Sequence, residues 1–153
     1  MIYLLALLIG VVAGLRAMMA PAAISWAAAN GGLNLGGSWL AFLGYRWTRW
    51  IFAIAAIGEL VTDQLPSTPS RKVPPQFGAR IALGGMSGAA VGIPSGAWIA
   101  GLVLGVIGAI IGTLGGASAR AAMAAKFKSD RPAAIIEDVV AIVGAILVVS
   151  LLA

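Results

Sequence analysis

Residues 2–29 run almost unbroken through apolar side chains, interrupted by a single charge at Arg16, and similar stretches recur at about 47–64, 78–93, 97–119 and 132–152. A hydrocarbon core ~30 Å thick needs about 20 such residues per helix, and a helix satisfies its own backbone polar groups in lipid. The expected fold is therefore all-α, a polytopic transmembrane bundle of about five spans forming one domain over residues 1–153. Composition agrees, because 61% hydrophobic residues against 10% charged leaves too little polar surface to coat a soluble core.

No cleavable signal is expected, since residues 1–9 carry no basic segment and the apolar run continues past Gly14 to Trp26. With 0 Cys and 0 His, thiolate chemistry, disulfides and imidazole ligation are excluded, which leaves any proton or metal chemistry to carboxylates. The net charge of +5 sits at span ends and not on a soluble face, so it reads as membrane orientation and nucleic acid is not an expected partner.

Arg71, Lys72, Arg80, Arg120, Lys126, Lys128 and Arg131 fall on one side of the expected spans, and Arg46 and Arg49 on the other. The richer side is cytoplasmic by the positive-inside bias. This gives a multi-pass protein of a bacterial inner membrane with the N terminus cytoplasmic and the C terminus outside. Trp39, Tyr45, Trp47 and Trp50 gather near Arg46 and Arg49 as an interfacial aromatic belt does. Residues 30–37 read as a flexible external loop, residues 66–75 as a proline-punctuated cytoplasmic loop, and Pro94-Ser95-Gly96 as a tight helix hairpin. Ser129 or Asp130 is placed to cap the last helix ahead of Pro132.

Small residues recur every four positions at Gly84, Gly88, Gly92 and Gly96, at Gly101 and Gly105, and at Gly108, Gly112 and Gly116. Such faces let helix backbones touch, whether inside one chain, across a homodimer or around a narrow pore. The chain's small size favours assembly, with a homodimer the preferred form. At an offset of 78 residues Gly10 and Gly14 meet Gly88 and Gly92, and Glu59 meets Glu137, a weak sign of the inverted repeats that some transporters use.

The acidic residues carry the functional reading. Glu59 lies seven residues before Pro66 and Glu137 five after Pro132, roughly 8–10 Å inside the cytoplasmic boundary at ~1.5 Å per residue. Asp63 stacks one turn beyond Glu59, and Asp138 adjoins Glu137. Arg16 falls near mid-membrane ahead of Pro21, which removes a helical hydrogen bond and clashes near Ala17, so a kink is expected there. A guanidinium keeps its proton and costs at least ~2.5 kcal/mol at a helix centre, so Arg16 needs a partner or a water-filled cavity, the expected partner being Glu59 or Glu137.

Arg16, Glu59, Asp63, Glu137 and Asp138 are thus candidate transport or binding residues around a polar site open to the cytoplasm. The plainer alternative pairs Arg16 with one acid while the others reach water or nearby basic residues. Glu59, Asp63, Glu137 and Asp138 are also candidate ligands for a divalent cation, because hard ions such as Mg²⁺ select oxygen donors; no other cofactor is expected. Thr68, Ser70, Arg71, Lys72 and Arg80 offer hydroxyls and cations to an anionic headgroup or phosphate, or serve as a simple positive anchor.

Gly14-Leu15-Arg16, the run E-x-x-x-D-x-L-P-x-T-P-x-R from Glu59 to Arg71, Gly78-Ala79-Arg80 and Glu137-Asp138 together resemble a family of small bacterial integral membrane proteins of unknown function. The resemblance covers nearly the whole chain and implies an integral membrane fold, with no reaction or substrate attached. The residues themselves point to a small transporter or channel-like protein moving a small solute or ion, more in keeping with a non-enzyme than an enzyme. Two alternatives stand beside it: a membrane-embedded, metal-dependent lipid-modifying enzyme and a non-catalytic membrane scaffold. The D-x-x-D-G-x-x-A-R pattern of alcohol phosphotransferases is missing, as are a G-x-x-x-x-G-K-[ST] phosphate loop and the cation-exchanger motif E-x-G-D-[KR]-[TS].

Overall fold

The computed structural model describes residues 1–62 and 74–152. Among these are the helices α1 (Ile2–Leu15), α2 (Met19–Ala29), α3 (Thr48–Thr62), α4 (Pro74–Gly92), α5 (Trp98–Phe127) and α6 (Asp130–Leu152), two 3-10 turns at Ala41–Gly44 and Ile93–Ser95, and no strand. The all-α expectation holds.

The first apolar stretch is not one helix. α1 stops at Arg16, whose backbone is extended (φ −141°, ψ 110°), and α2 restarts at Met19 after a turn at Ala17 and Met18. Pro21 supplies the reason. In a continuous helix its ring would strike the carbonyl of Ala17, whereas in the first turn of a new helix its missing N–H costs nothing. The proline starts a helix instead of kinking one.

α2 also doubles back. α1 runs antiparallel to α6, with Val12 against Gly144 and Arg16 against Glu137 and Asp138. α2 lines a cavity with residues 142–150 of α6, the same half of α6 that flanks α1. α1 and α2 therefore form a helical hairpin with Arg16 at its tip. The five-span expectation fails at this point, because residues 2–29 do not make a single crossing helix. Among the described residues, α5 and α6 are the two helices long and apolar enough to cross a membrane. The start of α1 and the end of α6 lie at the same end of the bundle, not at opposite ends as an odd number of crossings demands.

α3 returns beside α2. Trp50 near its start meets Trp26 edge-on with ring centroids 5.0 Å apart, and Glu59 near its end reaches the start of α2. α4 and α5 form an antiparallel pair closed by the expected hairpin, where Gly96 adopts φ 74°, a conformation other residues enter only with strain. α6 then runs back along α5. Taken in order, α1, α2 and α3 run opposite to α4, α5 and α6.

Glycine makes the central seam. Gly10 and Gly14 of α1 press on Gly105 and Ala109 of α5, while Gly88 and Gly92 of α4 press on Gly101 and Ala97 at the start of α5. A Cβ at any of these four α1 and α4 glycines would land on facing backbone. The stripes thus serve packing within the chain, where close approach brings helix backbones into contact. Large apolar side chains face outward instead, with Ile54 of α3, Ile99 of α5 and Ile146 of α6 all more than half exposed.

The connection between α2 and α3 departs from the flexible loop expected of its glycines. Leu33, Leu35, Leu40 and Leu43 are buried against Leu5 and Ile24, so it caps the bundle end. The aromatic group is present at that end: Trp39 packs on Trp98 (5.8 Å), Arg46 lies over Trp47 (5.3 Å) and Arg49 over Trp26 (4.8 Å).

Candidate functional site

Breaking a helix leaves carbonyls at one end and N–H groups at the other without intrahelical partners, and both sets here meet charged side chains. At the closing end of α1, the carbonyl of Gly14 accepts from Arg80 Nη1 at 2.7 Å and from Thr113 Oγ1 at 3.4 Å, and that of Leu15 accepts from Arg16 Nη1 at 2.9 Å. At the opening end of α2, the backbone N–H groups of Ala17 and Met18 donate to Glu59 Oε1 and Oε2 at 2.8 and 2.7 Å. A carboxylate at a helix N-terminus is favoured by both hydrogen bonding and the helix dipole.

Arg16 is 1% exposed and spans two acids of α6. Its Nε donates to Asp138 Oδ1 at 2.6 Å and its Nη1 to Glu137 Oε1 at 3.0 Å, and Nη2 pairs with the same Asp138 oxygen. Arg120 Nη1 stands 3.9 Å from Glu137 Oε2, while its Nε and Nη2 hold Asp130 at 2.9 and 2.6 Å. Asp130 thus turns both carboxylate oxygens to Arg120. Arg80 Nη2 lies 3.6 Å from Glu59 Oε1. Three arginines (Arg16, Arg80 and Arg120) and four carboxylates (Glu59, Glu137, Asp138 and Asp130) thus form one connected set around the hairpin tip.

Of the two partners expected for Arg16, the structure shows Glu137. Glu137 takes that role with Asp138, whereas Glu59 serves the start of α2 and Arg80. Arg80, expected at a headgroup surface, is 3% exposed and belongs to the cluster. A signal for it existed: Arg80 continues the four-residue period of Gly84, Gly88 and Gly92, so it falls on the buried face of α4. Thr113 carries no signal in the sequence, and Arg120 reads there as an orientation charge. Asp63, Thr68, Ser70, Arg71 and Lys72 lie outside the described residues.

Among the described residues no three acidic side chains are grouped as a metal-ligand set. Glu137 faces Arg16 through Oε1 and Arg120 through Oε2, Asp138 faces Arg16 through Oδ1, and Glu59 turns both oxygens to backbone N–H groups. A cation entering here would have to displace a guanidinium or open the tip of the hairpin. Asp130 is 61% exposed, and Glu59 and Asp138 reach the surface in part, at 17% and 14% exposure. A cavity of about 600 Å³ between α2, α3 and α6 begins beside them at Met19, Leu60 and Ile142, but its walls are apolar. The polar cluster and the open space are adjacent and distinct. No family model matches the chain, and no curated protein or solved structure is significantly similar to it.

Proposed function

We propose that this chain is a small transporter or channel-like protein of a bacterial inner membrane, moving a small solute or ion past the charged cluster at the hairpin tip. One observation carries the reading: both ends of a broken helix meet buried charge at a common point. Discontinuous helices in transporters use such ends to hold ions and anionic groups at mid-bilayer. The outward apolar faces of α3, α5 and α6 support a lipid environment. Helices α3 to α6 then cross the bilayer, and α1 and α2 enter as a re-entrant hairpin from the aromatic face.

Lys126, Lys128 and Arg131 stand at the end opposite Arg46 and Arg49, and the positive-inside bias makes that end cytoplasmic. Both termini are then outside, the reverse of the N-in expectation, because the chain turns back at Arg16. In the closed state Arg16, Arg80, Glu59, Glu137 and Asp138 are all partnered. Neutralising Glu59 with a proton or a cation would release the N–H groups of Ala17 and Met18 and free the tip to move, while neutralising Glu137 would loosen Arg16. Association as a homodimer and the resemblance to small bacterial membrane proteins are compatible with this scheme.

Proteoliposomes loaded in turn with small monovalent and divalent ions test it. A flux that falls in Glu59→Gln and Glu137→Gln supports the scheme, and a flux unchanged in both removes these carboxylates from the path. A membrane scaffold is the second reading, favoured by the complete pairing of the cluster; it anticipates no flux at all with stability still dependent on Arg16. The lipid-modifying enzyme has no comparable support, since the described carboxylates face arginines and N–H groups.

A further inference from the structure

The cavity between α2, α3 and α6 has dimensions and charges that the transport scheme does not use. Its walls come from Ala23 and Ala27 of α2, Ala53 and Ile57 of α3, and Ile142 and Ile146 of α6. Its volume of about 600 Å³ is ample for a small hydrophobic ligand. It extends along α2 from Met19 to Asn30, roughly 16 Å at ~1.5 Å per residue. That is about half of a ~30 Å hydrocarbon core, the depth of one leaflet.

The outer end of the slot is polar and cationic. Arg49 donates from Nη1 to Asn30 Oδ1 at 3.2 Å and lies over Trp26 at 4.8 Å and Trp50 at 5.7 Å, beside the mouth formed by Asn30 and Trp26. Its Nε is buried without a hydrogen-bond partner among the described residues. Arg46 stands nearby, yet the described acids Glu59, Asp130, Glu137 and Asp138 all lie at the hairpin tip or beyond it. An apolar slot one leaflet deep, opening on uncompensated arginines among tryptophans, matches a lipid with a long chain and an anionic head.

We infer that the slot holds an anionic phospholipid, with one acyl chain between α2, α3 and α6 and its phosphate against Arg49. The bound chain fills the space behind α2 and braces the hairpin against α3 and α6. This rests on the membrane reading of the proposed function and not on transport. Hydrocarbon supplies the bulk of the contact, and Arg49 supplies the preference among headgroups.

The test uses full-length protein reconstituted into vesicles of equal phosphatidylglycerol and phosphatidylcholine, re-extracted in mild detergent and weighed by native mass spectrometry. The wild type should retain one phospholipid per chain, enriched about fivefold for the anionic species, the weight of one arginine near a membrane surface. Ala53→Phe, which fills the slot, should lose the lipid, and Arg49→Gln should keep a lipid without enrichment. No retained lipid in the wild type, undiminished retention in Ala53→Phe, or undiminished enrichment in Arg49→Gln would each overturn the inference. Arg49→Gln decides alone if Ala53→Phe fails to fold by circular dichroism. Release of the protein from membranes by alkaline carbonate without detergent would instead overturn the membrane reading.

Discussion

Replacing Glu59 by glutamine keeps the shape of the side chain and removes its charge, so the change acts on the start of α2 with little steric disturbance. In the native arrangement both carboxylate oxygens accept backbone N–H bonds, at 2.8 Å from Ala17 and 2.7 Å from Met18. Hydrogen bonds to a charged acceptor contribute about 1.5–3 kcal/mol and neutral ones about 0.5–1.5. Glutamine retains one acceptor, so one bond weakens by about 1 kcal/mol, while the other is replaced by an amide donor facing an N–H and loses about 2. The sum, about 3 kcal/mol, corresponds to roughly 100-fold more frequent opening of the hairpin tip. Hydrogen exchange read by mass spectrometry on peptides covering Ala17 to Ala22 measures that opening directly. Acceleration of this order there, with α5 unchanged, is expected. Exchange within about threefold of wild type, a difference well below 1 kcal/mol, would refute the assignment of Glu59 as the clamp on α2.

Arg16→Gln strands Glu137 and Asp138 side by side, and loss of one partner from a buried pair costs about 3–5 kcal/mol; denaturation in detergent should register this, and adding Glu137→Gln with Asp138→Asn should restore most of it. Little loss in the single variant would mean that water already solvates the cluster. Gly105→Ala drives a methyl into the backbone of Gly84 and should cost about 1–3 kcal/mol. Gly115→Ala meets nothing within 4 Å and should be neutral or stabilising by up to about 1 kcal/mol through helix propensity. Equal effects of the two glycine variants on thermal unfolding would contradict the glycine seam.

Much of the cluster was legible from counting residues. Counting from Pro66 and Pro132 puts Glu59 and Glu137 at one depth, and charge expected at membrane depth has few ways to be satisfied. The partner of Glu59 was not legible. It depends on free N–H groups at Ala17 and Met18, which exist only if the chain breaks there, and the proline rule allows both a kink and a restart. The outcome is decided by tertiary contacts that reward a restart: α3 brings a carboxylate to the new N-terminus, and Trp50 holds Trp26. The same fork misled the span count, since hydropathy records length and polarity but not reversal. Arg80 shows a different failure, because residues that orient a membrane protein and residues that fill its interior are the same type, and only register with Gly84 and Gly88 separates them. Leu33 and Leu35 sit in a glycine-rich context that reads as mobile, yet four leucines spaced along the connection have a core to enter.

The reversal at Arg16 can be read from outside the protein. The chain contains 0 Cys, so single cysteines at Tyr3, Asn34, Lys128 and Ser150 can be probed with an impermeant maleimide on intact and on inverted membrane vesicles. Tyr3→Cys, Asn34→Cys and Ser150→Cys should label from one face and Lys128→Cys from the other. Labelling of Tyr3→Cys and Asn34→Cys from opposite faces would mean that residues 2–29 cross the membrane once, and the charged hairpin tip would not exist.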